Sequence, residues 1–297
     1  MVVDAPGKIV VLGEYAVVDG APAIVRAVDR GVRCTVTPAD VLAWSTPTDD
    51  DRFVARALEA VGAPAAHYAF SDWRPVEATD KVGLGGSAAA TVAAVVAAWR
   101  VAGRVFGPDD VLSTAHAVHN AVQGSGSGID VAASAHGGWI RFEQRAVAAI
   151  DARPPVTVVY SGRPAATGPR VRKYLALDAV ERAAFVAQSR RIVEGFEEAP
   201  VEAIRAGGAL LRSMAERAGI AYWTESIDRL VQLAAAHGGA GKPSGAGGGD
   251  IVVAVFADAA ARSAYEAAAR ASGFLVIDVA TSAGATFSGT GSEMRGR

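Results

Sequence analysis

The sequence predicts an α+β fold of two domains, and three observations support this class. The 297-residue chain is long enough for two moderate domains. Its N-terminal part alternates in the way of half-buried strands. The rest of the chain is mostly helical, and near its C-terminal end two strand-like runs flank a predicted helix at 259–272. The proline pair that begins at Pro154 predicts the boundary, so the domains would span residues 1–153 and 154–297.

The first domain is predicted to begin with strands and to continue with helices. β-Branched apolar runs favour the strands, and a proline with two acidic residues is a typical helix start. Between residues 38 and 75 the pattern is loose and predicts one helix only. The strands are expected at 8–12, 22–28 and 31–36, and the helices at 52–61, 87–100 and 111–122.

The second domain is predicted to have strands at both ends and helices between them. The hydrophobic β-α-β order at its C-terminal end indicates an α/β sandwich. The strands are expected at 156–160, 251–256 and 274–279, and the helices at 170–174, 179–198, 201–219, 226–237 and 259–272.

The composition favours a small-molecule partner. A net charge of −2 leaves no electrostatic footprint for nucleic acid or for an anionic membrane. The longest apolar run, 88–99, is too short to span a bilayer, and no signal peptide is apparent. A single cysteine, Cys34, excludes an intrachain disulfide and a cysteine-based metal site. We therefore expect a cytoplasmic protein.

The most informative segment is Lys81-Val-Gly-Leu-Gly-Gly-Ser-Ala-Ala89. Gly83, Gly85 and Gly86 can take backbone angles that are closed to other residues, which leaves successive N–H groups free to point at an anion. The predicted helix that follows places its positive end at the same spot. The segment predicts a phosphate cradle, although a glycine-rich turn before a helix can also be a packing device.

Two further glycine-rich segments support a ligand site. The segment 124–130 ends in Asp130, which could accept a proton from a hydroxyl or hold a nucleophile in place, or could cap the next helix. The segment 242–250 precedes a strand and could be the far wall of a nucleotide or acceptor pocket, or a structural loop. Three of only four lysines lie in or beside glycine-rich segments, which points to active-site roles for them.

In this order, the segments resemble the three motifs of the GHMP kinases. The first motif is Pro6-Gly7-Lys8 with Gly13-Glu14-Tyr15, the second is 83–89, and the third is 242–250. The resemblance spans most of the chain. It implies transfer of the γ-phosphoryl group of ATP to a small-molecule hydroxyl or phosphate. It also implies an N-terminal domain like domain 2 of ribosomal protein S5, a ferredoxin-like C-terminal α/β sandwich, and a site between them.

Within this family, the chain most resembles the bacterial-type phosphomevalonate kinases, which make mevalonate diphosphate from mevalonate 5-phosphate. Lys81, the pattern from His119 to Asp130 and the segment 161–167 carry this resemblance. Three departures accompany it, the first of which is a chain shorter than most phosphomevalonate kinases, particularly between residues 37 and 81. The chain has only Ser87 where family members often have two serines. His119 stands where mevalonate kinases have a glutamate that helps to bind magnesium.

The resemblance implies roles for named residues, with ATP and Mg²⁺ as the expected cofactors. Asp130 would orient the acceptor oxygen or act as base, Lys8 would stabilise charge on the transferring group, and Lys81 would bind the γ or the substrate phosphate. Ser87 would reach the metal. The expected ATP-binding residues are Gly83, Leu84, Gly85, Gly86, Ser87 and Ala88. The expected substrate-binding residues are Tyr15, Lys81, Ser127, Gly128, Arg163, Ser244 and Gly245, and several of these could instead be structural.

Other functions stay open on the sequence alone. One is mevalonate kinase or another small-molecule kinase of the family, and another is the diphosphomevalonate decarboxylase branch. Lys81 and the pattern 123–130 argue against both. A third is a nucleotide-binding sensor that has lost catalysis, against which the presence of Lys8, Ser87 and Asp130 argues. We expect a small-molecule substrate, no nucleic-acid or membrane partner, and a monomer or homodimer.

Overall fold

The computed structural model describes residues 1–77, 82–124, 126–165 and 167–288. This part of the chain contains a seven-stranded sheet and a four-stranded sheet, both covered by helices. The strands are β1 (Val2–Leu12), β2 (Ala23–Thr37), β3 (Ala43–Ser45), β4 (His67–Trp73), β5 (Trp139–Glu143), β6 (Ala146–Ala149), β7 (Val156–Tyr160), β8 (Ala240–Pro243), β9 (Ile251–Val255), β10 (Leu275–Ile277) and β11 (Thr286–Ser288). The helices are α1 (Arg52–Ala60), α2 (Gly86–Val101), α3 (Pro108–Gln123), α4 (Ile129–His136), α5 (Thr167–Leu175), α6 (Ala179–Glu194), α7 (Pro200–Arg217), α8 (Glu225–Ala236) and α9 (Ala259–Ala271).

The two sheets differ in strand order and in their place along the chain. The seven-stranded sheet has the order β11-β1-β2-β4-β3, with β5 also paired to β2 and β6 paired to β5. Its pairs are antiparallel except for β3 with β4. The four-stranded sheet, β10-β7-β9-β8, is antiparallel throughout. Strand β11 brings the chain back to the edge of the first sheet. The division of the chain after residue 153 stays a prediction.

Strand β1 is buried on both faces, which explains its long apolar run. Val10 packs under the helices of the first half, whereas Ile9 and Val11 join a core that the first sheet shares with β7 and β9. Because alternate side chains of a strand point to opposite faces, Lys8 lies on the face of Val10. Helices α2 and α4 pack against β1. The strand thereby directs Lys8 towards the helix-covered side of the sheet.

Helix α2 is apolar on all sides because it is surrounded by other elements. It contacts β1, β2, α1, α3 and α4, and nearly all its side chains from 88 to 99 are buried. A helix with this pattern belongs to a protein core. None of the helices in the described ranges is long and apolar enough to cross a membrane.

Several elements were not predicted from the sequence. Strands β3 and β4 lie in the region with the loose pattern, and β5, β6, β8 and β11 were also missed. In β4 only Tyr68 and Phe70 are buried, and the strand is fixed by its pairing with β2 rather than by a strong local pattern. The small-residue run 131–135 is part of α4, and the two runs at 22–28 and 31–36 form the single strand β2.

A buried ion pair joins the two halves of the chain. Nζ of Lys242, in β8, contacts Oε1 of Glu14, which follows β1, and both side chains are at most 2% exposed. The same Nζ donates to the carbonyl of Pro243 at 3.0 Å. Burial lowers the pKa of Lys242, and the Glu14 carboxylate opposes that shift. Because either charge alone would be buried without a counterion, the pair holds the end of β1 against β8.

We expect Lys242→Met to lower the free energy of unfolding by about 3–5 kcal/mol, because it leaves Glu14 buried without its counterion. The double variant Glu14→Gln/Lys242→Met should recover part of this loss, since it removes both charges. Unfolding in urea measures each effect.

The exposed ion pair of Arg56 and Glu59 is the matched control for this prediction. Their side chains are 51% and 71% exposed, so Arg56→Met should cost less than about 1 kcal/mol. If the free energy of unfolding falls no further in Lys242→Met than in this control, the buried pair does not stabilise the fold.

Candidate active site

The glycine loop, residues 82–87, is attached to β1 around Lys8. The backbone N–H of Lys8 donates to the carbonyl of Leu84 at 2.8 Å, and its ammonium donates to the carbonyl of Gly83 at 3.2 Å. Gly7 leaves no room for a side chain, because a Cβ would lie 2.4 Å from the Leu84 carbonyl oxygen. The Gly7-Lys8 motif therefore holds the loop through close contact between two backbones.

The glycines of this loop give α2 an open N-terminus. Gly83 and Gly85 have φ values of +77° and +82°, which favour glycine. A Cβ on Gly85 would lie 3.2 Å from carbon atoms of the Lys8 side chain, whereas a Cβ on Gly86 would meet no atom of the described residues within 4 Å. Among the residues that the structure describes, no side chain forms a capping hydrogen bond at the start of this helix. Its first N–H groups and the space at Gly86 fit the predicted phosphate cradle.

Asp130 lies in the first turn of α4 and forms an ion pair with Lys8. Its Oδ2 is 3.6 Å from Nζ of Lys8, and the two side chains are 36% and 8% exposed respectively. Gly128, which directly precedes α4 and has a φ of +86°, packs on the ring of His116, where a Cβ would lie 2.3 Å from Cδ2. This contact fixes the start of α4. The pair thus combines a buried cation with a carboxylate that a ligand can reach.

Ser87 and His119 form the next contact at the start of α2. Oγ of Ser87 is 3.1 Å from Nε2 of His119 on α3, and the His119 ring stacks on Phe53. Burial lowers the pKa of His119, and the charge of Asp130 opposes that shift, so the imidazole is mainly neutral at pH 7. A neutral imidazole can accept a hydrogen bond from the Ser87 hydroxyl, which leaves the lone pairs of the hydroxyl oxygen for a cation.

The residues here fit Mg²⁺ held together with a nucleotide. In the described ranges no group of three or more His, Cys, Asp or Glu side chains could hold a metal ion. Mg²⁺ usually keeps several waters and is bound through few protein oxygens plus substrate phosphates. The Ser87 hydroxyl, beside the open space at Gly86, suits that mode. Its metal-binding role stays a prediction.

Asp250 reaches the glycine loop from the second sheet. A Cβ on Gly83 would lie 2.6 Å from Cγ and Oδ2 of Asp250. Burial raises the pKa of Asp250, while a hydrogen bond from the Ala165 N–H and the charges of Lys8 and Arg170 oppose the rise. This aspartate ends the third glycine-rich segment, 242–250, for which the sequence predicts no role of the aspartate itself. The signal that could have found it is its position at the end of a glycine run, as for Asp130.

The predicted substrate residues near β8 are engaged in packing. Tyr15 is 4% exposed and donates its hydroxyl hydrogen to the carbonyl of Ala246 at 2.8 Å, and burial raises its pKa. Ser244 is buried and exchanges two hydrogen bonds of 2.9 Å with the backbone of Val10. The N–H of Gly245 faces the Glu14 carboxylate at 3.4 Å. These contacts hold loop 244–250, and direct contact with substrate stays a prediction.

The remaining predicted residues have different surroundings. The Arg163 side chain is exposed. Oγ of Ser127 accepts a long hydrogen bond of 3.4 Å from the backbone two residues on. Ala88 is 1% exposed, so only its backbone could meet a ligand. Lys81 lies outside the described residues. The structure thus brings together Lys8, Asp130 and the glycine loop.

Comparison with known proteins matches both halves of the chain to one family. The model of the GHMP kinases N terminal domain matches residues 54–138, and that of the GHMP kinases C terminal matches residues 192–273. A phosphomevalonate kinase of Streptomyces sp. (strain CL190) is 29% identical over 87% of this chain and 90% of that protein. A mevalonate kinase of Methanothermobacter thermautotrophicus is 32% identical over 84% of this chain and 88% of that protein.

Solved structures share the fold at lower identity. The Lin0012 protein from Listeria innocua superposes with a TM-score of 0.88 at 23% identity, over 96% of this chain and 99% of that one. Streptococcus pneumoniae phosphomevalonate kinase, in complex with phosphomevalonate and AMPPNP, gives a TM-score of 0.80 at 17% identity, over 95% and 100%. These likenesses confirm the predicted two-domain α+β fold.

Two neighbouring glycines allow a matched test of the loop. We expect Gly85→Ala to lower the free energy of unfolding by about 1–2 kcal/mol, because of the left-handed backbone angle. Gly86→Ala should leave stability within about 0.5 kcal/mol of the parent chain, since no atom in the described part of the chain lies within 4 Å of its Cβ. Gly86→Ala should nevertheless raise the Kd for MgATP about tenfold, because the methyl group enters the space proposed for phosphate.

Thermal or urea unfolding and calorimetric titration with MgATP measure these effects. Equal stability of the two variants would contradict the backbone argument. Unchanged MgATP binding by Gly86→Ala would show that phosphate lies elsewhere.

Proposed function

Since this chain belongs to the GHMP kinase family, we propose that it transfers the γ-phosphoryl group of ATP to the phosphate of mevalonate 5-phosphate. The observation that carries the proposal is the meeting of three groups. Nζ of Lys8 lies 3.2 Å from the Gly83 carbonyl of the glycine loop and 3.6 Å from Oδ2 of Asp130. A phosphate cradle, a cation and a carboxylate are thus combined at one point.

Phosphoryl transfer depends on positioning and charge neutralisation more than on covalent chemistry. The free N–H groups at the start of α2 would bind the phosphates of ATP, and the ammonium of Lys8 would stabilise charge on the transferring group. Mg²⁺, when bound, neutralises phosphate charge, and Ser87 is the residue we expect to hold it.

A phosphate acceptor suits the role that we assign to Asp130. The second pKa of a phosphate monoester is about 6, so the acceptor is largely ionised at neutral pH and needs no strong base. Asp130 then has to orient the acceptor oxygen through Lys8, since its ion pair holds the ammonium that attracts the anionic acceptor, whereas two anionic oxygens repel each other. A hydroxyl acceptor would in addition need a group that takes its proton.

Two features favour mevalonate 5-phosphate over mevalonate. The Streptomyces relative, which aligns over most of both chains, is a phosphomevalonate kinase. His119, against Ser87, occupies the place where the family resemblance expects the magnesium-binding glutamate of mevalonate kinases. Mevalonate kinase activity is the second candidate, because the Methanothermobacter relative has that activity in its name. Both candidates belong to the mevalonate route to isoprenoids.

The acceptor is identified by ADP release with MgATP and, in parallel, mevalonate 5-phosphate, mevalonate or no acceptor. We expect turnover with mevalonate 5-phosphate alone. Turnover with mevalonate alone would overturn the proposed acceptor but would agree with the proposed kinase reaction. MgATP binding without ADP release from any mixture would overturn both proposed acceptors and favour another small-molecule acceptor or a nucleotide-binding sensor.

Asp130→Asn should lower kcat at least about 100-fold, because the charge that orients the acceptor is lost. MgATP binding should persist, since the glycine loop is unchanged. Asp109→Asn is the control, because Asp109 lies in the first turn of α3 with a side chain that is 91% exposed. Equal kcat values for the two variants would contradict the role of Asp130.

A further inference from the structure

Asp250 is tied to segment 161–165 by three hydrogen bonds. Its N–H donates to the carbonyl of Arg163 at 2.7 Å, and its carbonyl accepts from the N–H of Ser161 at 2.8 Å. Its Oδ1 accepts from the N–H of Ala165 at 2.9 Å. The backbone and the side chain of one residue therefore both fix the course of this segment.

The backbone conformation of Asp250 is uncommon for a residue with a side chain. Its φ is +54°, in the left-handed region that glycine favours and that aspartate and asparagine tolerate better than most other residues. The preceding Gly249 has no room for a side chain, since a Cβ would lie 2.7 Å from the Arg163 carbonyl oxygen. The turn at 249–250 is thus built to bring Asp250 against segment 161–165.

The opposite side of the Asp250 side chain meets the glycine loop. Cβ, Cγ and Oδ2 of Asp250 fill the space that a side chain on Gly83 would need. The carbonyl of Gly83 accepts the hydrogen bond from Nζ of Lys8, and the positive charge of Lys8 acts on the Asp250 carboxylate. Asp250 therefore lies between the predicted phosphate cradle and the segment that includes the predicted substrate residue Arg163.

We infer that Asp250 is a positioning residue, which sets segment 161–165 at a fixed place relative to the glycine loop through its hydrogen bond to Ala165 and its contact with Gly83. The inference rests on the proposed acceptor site. It assigns to Asp250 a part in binding the phosphorylated acceptor through segment 161–165, and no direct contact with the reacting atoms.

The test compares Asp250→Ala with Asp250→Asn. The alanine variant loses the bond to Ala165 and should raise the KM for mevalonate 5-phosphate about tenfold, while the KM for ATP and kcat change less than about threefold. The asparagine variant keeps an acceptor oxygen, the side-chain shape and tolerance of positive φ, so it should stay within about threefold of the parent chain in all three constants.

Asp258→Ala is the matched control, because Oδ1 of Asp258 accepts a bond of 2.8 Å from Ala261 at the start of α9. It should lower the unfolding midpoint without changing either KM. An acceptor KM in Asp250→Ala that is no higher than in this control would overturn the inference. An acceptor KM that rises as much in Asp250→Asn as in Asp250→Ala would also overturn it, since the charge of Asp250 would then matter rather than its hydrogen bond.

Amide hydrogen exchange separates this inference from the proposed function. Peptides that span 161–165 should exchange faster in Asp250→Ala and at the parental rate in Asp250→Asn, whether or not any acceptor is turned over. Equal exchange in the alanine variant and the parent chain would overturn the positioning role. Faster exchange without turnover by any variant or by the parent would support the role and count against the proposed acceptor alone.

Discussion

The attachment of the glycine loop to β1 through Lys8 is the constraint on which the rest of the site depends. Strand β1 is buried on both faces, so its position is fixed by the two cores it separates. Lys8 binds the loop through its backbone and through its ammonium. The cation, the open start of α2 and the Asp130 carboxylate thus have set positions before any ligand binds. Electrostatic stabilisation of phosphoryl transfer requires such preorganisation.

The second sheet contributes loop 244–250 to the site. The charged side chains that attach this loop can be buried because they are paired. Lys242 and Glu14 neutralise each other's charge at the end of β1, and loop 244–250 is held there by Tyr15 and Ser244. Asp250 ends this loop against Gly83. An unpaired buried charge is costly, so an arrangement of the loop that separates Lys242 from Glu14 is disfavoured. The contact of Asp250 with Gly83 thereby holds loop 244–250 against the glycine loop.

The sequence predicted the parts of the site that have a local signature. Gly83 and Gly85 adopt left-handed backbone angles that favour glycine, so the turn is visible in the sequence as a glycine-rich pattern. The alanine and valine run after them indicates a buried helix. Pairing partners distant in sequence leave no such trace. Strand β4 depends on β2, and β11 consists of three exposed residues held by β1. Lys242 was grouped with the active-site lysines by composition, whereas its complete burial beside Glu14 is a tertiary property. The contacts of Ser87 with His119 and of Asp250 with Gly83 also join separate elements, so local pattern could not reveal them.

Phosphorus NMR of the product shows directly whether this site joins the γ-phosphoryl group to a phosphate oxygen, as we propose. With MgATP and mevalonate 5-phosphate, we expect the monoester resonance to be replaced by two coupled doublets of a diphosphate as ATP is converted to ADP. A second monoester resonance would show transfer to the hydroxyl of the same molecule. Inorganic phosphate with an unchanged monoester would show hydrolysis of ATP. Either result would contradict the claim.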